Sequence, residues 1–149
     1  AVHGQTQAFY SLVDALNQKH TTVEIESCSS GGGRVDYEVL KRTQRFWCSD
    51  SNDALERQTI QKNMGYFFPP EVMGAHIGPK HCHTTGRVHD IRFRAATALS
   101  GHFGVELDPL KTDDAEKAAF SKYIALHKRF EFSPFPNLHY VRHDVGCIS

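Results

Sequence analysis

Arg45-Phe46-Trp47-Cys48-Ser49-Asp50-Ser51-Asn52-Asp53-Ala54-Leu55 is the stretch on which the fold turns. Its first four residues form a short apolar run that reads as a strand, and the run stops abruptly in polar residues. Ser, Asp and Asn side chains accept hydrogen bonds from the free N–H groups of a starting helix. Ser49-Asp50-Ser51-Asn52-Asp53 therefore predicts a helix through Ala54, Leu55, Ile60 and Met64. A strand fed into a helix through a short polar loop is a βα unit.

The same order recurs on both sides. Upstream, Thr6 is positioned to cap a helix in which Phe9, Leu12, Val13 and Leu16 make one apolar stripe. Val23-Glu24-Ile25-Glu26-Ser27-Cys28 alternates with period two and reads as a strand. It is followed by the glycine loop Ser29-Ser30-Gly31-Gly32-Gly33-Arg34 and a short helical stretch through Val35, Val39 and Leu40. Downstream, Pro69-Pro70 stops the apolar run Gly65-Tyr66-Phe67-Phe68, and residues 72–78 suggest a third strand. A helix is expected over about 88–99, a fourth strand over 101–108 and a last helix over about 113–130. Asp113, Asp114 and Glu116 in its first turn and Lys128 and Arg129 in its last complement the helix dipole. Ser133-Pro134-Phe135-Pro136-Asn137 breaks the pattern. The expected organisation is one α/β domain over 1–132, then a linker and the start of a β domain over 133–149.

Alternating strands and helices predict parallel pairing in chain order with helices outside, and Cys28, Asp50, His76 and Asp108 near one end of the sheet. Four such units amount to half of an eight-stranded barrel, which takes about 250 residues. A doubly wound sheet has the same alternation, but the glycine loop lacks the spacing of a dinucleotide site and leads into Arg34 and Asp36. The start of the chain, Ala1-Val2-His3-Gly4, has no Met and no basic or apolar leader, so it reads as excised from something longer.

Lys+Arg and Asp+Glu number 17 each, leaving no basic excess for a phosphate backbone, so nucleic-acid binding is not expected. No apolar run approaches the roughly 20 residues of a membrane span. Cys28, Cys48, Cys82 and Cys147 stand singly, without CxxC spacing, and read as free thiols in a reducing, cytoplasmic compartment. His76, His81, Cys82 and His83 lie close together but lack zinc-ligand spacing; neither metal nor cofactor is expected.

In an arrangement of this kind, chemistry gathers where strands end and βα loops begin. Three carboxylates compete. Asp50 follows a strand beside Trp47, where an aromatic wall would desolvate it and raise its pKa, as a general acid requires. Its plain alternative is a helix cap. Asp53 falls in the first turn of the following helix, which suits a structural carboxylate; Glu26 lies within a strand and is a candidate ion-pair partner of Arg34. The three glycines suit either close approach to a ligand or a tight turn, and Trp47 suits either stacking on a sugar face or closing the core.

Segments 26–36 and 47–58, together with Phe68-Pro69-Pro70-Glu71-Val72-Met73-Gly74-Ala75-His76 and Cys82-His83-Thr84-Thr85-Gly86-Arg87, resemble glycoside hydrolase family 36, the α-galactosidases of bacteria and fungi. The resemblance runs in the family's order to about Leu138. It implies a (β/α)8 TIM barrel of which this chain holds strands five to eight. The family's tryptophan-x-serine-aspartate segment matches Trp47 to Asp50, which makes Asp50 the acid/base. Its cysteine-x-x-glycine stretch matches Cys28 and Gly31, which with Trp47 would line the galactose pocket. The family's nucleophile sits in a lysine-tryptophan-aspartate motif, and this chain has none, Trp47 being its single Trp. The resemblance thus implies part of a retaining α-galactosidase, a homo-oligomer when complete, acting on raffinose- or melibiose-type oligosaccharides. The other reading is a non-catalytic carbohydrate-binding chain that keeps the family fold.

Overall fold

Strands β1 (Glu26–Ser27), β2 (Arg45–Trp47), β3 (Met73–Ile77) and β4 (His102–Val105) lie side by side in chain order, every neighbouring pair parallel. This computed structural model describes residues 2–131, so the linker and β domain expected over 133–149 lie outside the described residues. Helix α1 (Val2–Lys19) precedes the sheet; α2 (Tyr37–Leu40), α3 (Ala54–Met64) and α4 (Ile91–Ala98) join successive strands; α5 (Asp114–Glu131) follows β4. The parallel order is the one expected from the alternation.

Element ends differ from expectation for identifiable reasons. β1 keeps only Glu26 and Ser27 of the alternating run. Beyond the ladder, Gln44 N donates to Ile25 O (3.0 Å) and Ile25 N donates to Gln44 Oε1 (2.7 Å), so the backbone there is satisfied without a strand. Thr6 is not a cap: α1 starts before it, and its hydroxyl donates back to Val2 O (3.1 Å) from within the helix. Helix α4 starts later than expected because Asp90 caps it, accepting from Arg92 N (2.8 Å). Asp113 does the same for α5 by accepting from Glu116 N (2.8 Å).

Partners across a parallel ladder point the same way and alternate along each strand. One face therefore carries Phe46, Met73, Ala75 and Ile77, all buried. It packs in two clusters, Phe46, Cys48 and Met73 against Leu40, Ile60, Met64 and Phe68, and Ile77 with Ala95, Ala98 and Phe120 against Ile91 and Ile124. The other face carries Glu26, Arg45, Trp47, Gly74, His76, His102 and Gly104. It is polar: Arg45 donates to Glu26 Oε2 (3.1 Å) and Glu24 Oε2 (2.6 Å). Two faces of such different chemistry do not suit a doubly wound sheet, whose strands are apolar on both sides.

Helix α3 departs from its expected apolar stripe. Leu55 is exposed, and the buried positions are Ala54, Arg57 and Gln61. Gln61 Nε2 donates to Thr97 O (2.9 Å) and Ser100 Oγ (2.7 Å), and Gln58 Nε2 to Thr97 Oγ1 (2.6 Å), so α3 meets α4 through side-chain amides. Among the described residues no helix is long and apolar enough to cross a membrane.

Phe46 is completely buried and meets Phe68 edge-on at 5.1 Å between ring centroids. Phe46→Ala is expected to lower unfolding free energy by about 3–5 kcal/mol, read as a lower urea midpoint at unchanged slope.

Candidate active site

The C-terminal ends of the strands bring together three loops. Cys28 and Gly31 follow β1, Asp50 follows β2, and Glu106 and Asp108 follow β4, while His76 is the penultimate residue of β3. Glu106 N donates to Ile77 O (3.0 Å), extending the last rung past the strand ends. Asp108 caps a single helical turn through Leu110 N (2.9 Å).

The glycine loop abuts the Asp50 loop backbone to backbone. Gly31 has φ +69°, and a Cβ there would stand 2.7 Å from Ser49 Cα and 2.9 Å from Asp50 N. A Cβ on Gly32 would meet Cys48 O at 3.0 Å, and Gly33 N closes the turn by donating to Ser29 O (3.1 Å). The turn and the close approach between loops therefore account for the glycines internally.

Under the Asp50 loop lies the Arg57 side chain, 2% exposed. Its Nε donates to Ser51 O (2.7 Å), one terminal nitrogen to Ser49 O (2.8 Å), and the other to Cys48 Sγ (2.9 Å) and Gly74 O (3.3 Å). Burial pushes its pKa down, opposed by the charges of Cys48, Glu106 and Asp50. Its guanidinium carbon lies 4.0 Å from the centroid of Trp47, whose ring also meets His76 at 4.5 Å. His76 Nδ1 and Glu106 Oε2 are 3.1 Å apart, and Asn52 Nδ2 donates to the same carboxylate oxygen (3.3 Å).

The carboxylates divide clearly. Asp50 is exposed and takes no hydrogen bond or ion pair among the described residues. Trp47, expected to desolvate it, lies instead against Arg57 and His76, and Asp50 stays exposed among the described residues. Nor is Asp50 the helix cap. Asp53 is, accepting from Leu55 N (2.9 Å) and Glu56 N (3.1 Å), one residue before the first turn where it was expected. Glu26 pairs with Arg45 rather than Arg34, which instead lies over the Phe9 ring at 4.3 Å.

Asp53 is wholly buried and also takes the Thr85 hydroxyl, with Arg87 at 3.4 Å and His89 Nε2 at 3.4 Å. Burial pushes its pKa up, but the Thr85 hydroxyl, the Glu56 and Leu55 amides and Arg87 outweigh that and hold it at about 2. It thereby ties the loop after β3 to the N-terminus of α3. In that loop Cys82 is buried with its sulfur on Thr84 Oγ1 (3.1 Å), and Cys28, Cys48 and Cys82 are free. Among the described residues no three His, Cys, Asp or Glu side chains gather in a way that would hold a metal.

From sequence, no site role falls to Arg57, Thr85 or Arg87, which lie in the family segments, to Asn52, which reads as a helix-cap candidate, or to His89 and Glu106. A signal existed for Arg57: Ala54, Arg57 and Gln61 fall at i, i+3 and i+7, the spacing of a buried stripe.

A carboxylate whose folded pKa lies below its unfolded value stabilises the fold above the unfolded pKa, and that contribution is lost as pH falls through the folded one. Asp53, at about 2 against an ordinary 3.8, contributes its full share above pH 4 and loses it towards pH 2. Asp53→Asn is expected to cost about 2 kcal/mol at pH 7, the gap to the parent closing as pH falls from 4 to 2. Urea unfolding of both proteins across that range measures it.

The Melibiase family model matches residues 1–132. An Escherichia coli alpha-galactosidase is 58% identical over 130 residues, covering 87% of this chain and 18% of that protein. The bifunctional alpha-galactosidase/sucrose kinase AgaSK of Mediterraneibacter gnavus is 38% identical, covering 82% of this chain and 13% of its own. Among solved structures, the galactosidase domain of AgaSK superposes with TM-score 0.80 at 37% identity, over 83% of this chain and 17% of its own. A doubly substituted variant of the GH36 alpha-galactosidase AgaA of Geobacillus stearothermophilus, in complex with raffinose, superposes with TM-score 0.79 at 35% identity, over 81% and 17%. The chain thus spans less than a fifth of each of these relatives. With the match running over nearly all its residues, it belongs to the Melibiase family, glycoside hydrolase family 36.

Proposed function

We propose that this chain is the C-terminal half, strands five to eight, of the (β/α)8 catalytic barrel of a retaining α-galactosidase, with Asp50 as its general acid/base. The observation that carries the assignment is the state of Asp50: it stands exposed and unengaged at a strand end, while Asp53 is committed to a helix cap and Glu26 to Arg45. The polar sheet face opposite the helix-covered one suits the inside of a barrel.

In this reading Asp50 protonates the glycosidic oxygen while a second carboxylate attacks the anomeric carbon. It then takes a proton from the water that releases galactose. Retention requires the two carboxyl groups only about 5–5.5 Å apart. The attacking aspartate, with its lysine-tryptophan-aspartate motif, belongs to a part of the polypeptide outside these 149 residues. Cys28, exposed after β1, Gly31 and Trp47 are assigned to the galactose pocket; with Trp47 9% exposed and against Arg57 and His76, little of it remains to meet a sugar. The proposed substrate is terminal α-linked galactose on raffinose-type oligosaccharides; doubly substituted variants of AgaA have been solved with raffinose and with stachyose. The whole enzyme is proposed to be a cytoplasmic homo-oligomer.

Two outcomes are expected. The isolated chain should not turn over a nitrophenyl α-galactoside, because one carboxylate cannot run a double displacement; release of nitrophenol above the blank would overturn the assignment of the nucleophile elsewhere. In the intact enzyme, Asp50→Ala should slow cleavage most for poor leaving groups, which need protonation. With an activated aryl galactoside the covalent intermediate should accumulate, and added azide, needing no base, should restore turnover as α-galactosyl azide. Azide rescue of Asp53→Ala instead of Asp50→Ala would overturn the choice of Asp50 and move the role to Asp53.

A further inference from the structure

We propose that Arg57 is the positioning residue for Asp50, a role that rests on Asp50 being the acid/base. Three observations lead there. The Arg57 guanidinium donates to the carbonyls on both sides of Asp50, Ser49 O (2.8 Å) and Ser51 O (2.7 Å). The same guanidinium is anchored to the neighbouring strand at Gly74 O (3.3 Å) and packed against Trp47, so the loop is referred to β3 and not merely to its own helix. From the other side, Gly31 admits no side chain between itself and Ser49 Cα or Asp50 N, which closes the loop between a guanidinium and a backbone.

The chemistry of the side chain supports positioning over simple filling. Arg57 occupies the buried stripe of α3, where an unbranched apolar residue would pack without losing the hydration of a charge. What an apolar residue lacks is a rigid planar fork with donors on three nitrogens, able to hold Ser51 O, Ser49 O and Gly74 O at once. Among the described residues the Asp50 carboxylate takes no hydrogen bond or ion pair that would fix its place. Its carboxyl can reach the glycosidic oxygen reproducibly only if its backbone is held, and a displacement of about 1 Å in such a group costs about 100-fold in rate.

The test uses the intact enzyme and reads kcat/KM, the first irreversible step, against leaving-group pKa for a series of aryl α-galactosides and raffinose. Loss of folded protein scales every substrate equally and leaves that slope unchanged; misplacement of the acid steepens it. Arg57→Met is expected to lower kcat/KM for raffinose about 10- to 100-fold and for a dinitrophenyl galactoside about threefold or less. Arg57→Lys, which keeps the charge but not the fork, should give a slope between wild type and the Met variant. A wild-type slope in Arg57→Met overturns the proposal whatever its thermal midpoint. If Arg57→Met does not accumulate, Arg57→Lys decides: a steeper slope than wild type supports positioning, a wild-type slope overturns it. Asp50→Ala is run alongside. A flat slope there sinks the acid/base reading itself, whereas a steep slope there with a flat one for Arg57 sinks only this inference.

Discussion

A guanidinium taken out of water must find acceptors for its donors, and the ones Arg57 finds are main-chain carbonyls of Ser49, Ser51 and Gly74 and the sulfur of Cys48. That requirement organises the end of the sheet where the candidate site lies. The charge on α3 cannot be buried unless the loop ahead of α3 folds back over it, and the loop cannot leave without exposing a desolvated cation. Helix α4 repeats the device. Its Arg94 is equally buried, donating to Gly78 O (2.7 Å) and His89 O (3.0 Å) in the loop after β3 and to the Glu116 carboxylate of α5. Two successive βα loops are thus fastened from beneath by arginines of the helices they lead into.

The carboxylates around these loops acquire their characters from the same arrangement. Asp53 faces inward and meets amides, a hydroxyl and Arg87, so it stays ionised and serves as a joint between α3 and the loop after β3. Glu106 accepts from His76 and Asn52 and joins β3 and β4 to the loop after β2. Asp50, between two gripped carbonyls, is left with its side chain outward and uncommitted. Identical functional groups a few residues apart thereby differ in what each can do.

Much of this was legible in the residues. The strand-to-helix passage at 45–55, the glycine loop and the alternation with helices carried the parallel order of the sheet, and the segments around Cys28 and Trp47 carried the family. Physical pattern alone left Asp50 between acid and cap; Asp53, whose carboxylate takes the amides of Leu55 and Glu56, removes the cap reading. Strand ends were misjudged at β1 because a side-chain amide, that of Gln44, completed backbone pairing that a longer ladder would have made. Helical spacing marks Arg57 as buried but not its partners, which lie 6 to 17 residues away, and the roles of Thr85 and Glu106 come from contacts across 30 to 54 residues, for which local periodicity carries no signal.

β1 and β4 each have a ladder partner on one side only among the described residues. Every inner strand edge of a parallel sheet is sealed by its neighbour, but an outer one keeps a row of amides and carbonyls facing away from the sheet. The polar face, with Arg45, Trp47 and His76 on it, sits between those two rows. Handled as a separate polypeptide, such a sheet offers, among the described residues, a donor-acceptor rail at each margin with a half-buried polar face between them. Colloidal behaviour, meaning self-adhesion at working concentration, then becomes a property of the sheet's perimeter and not of its core.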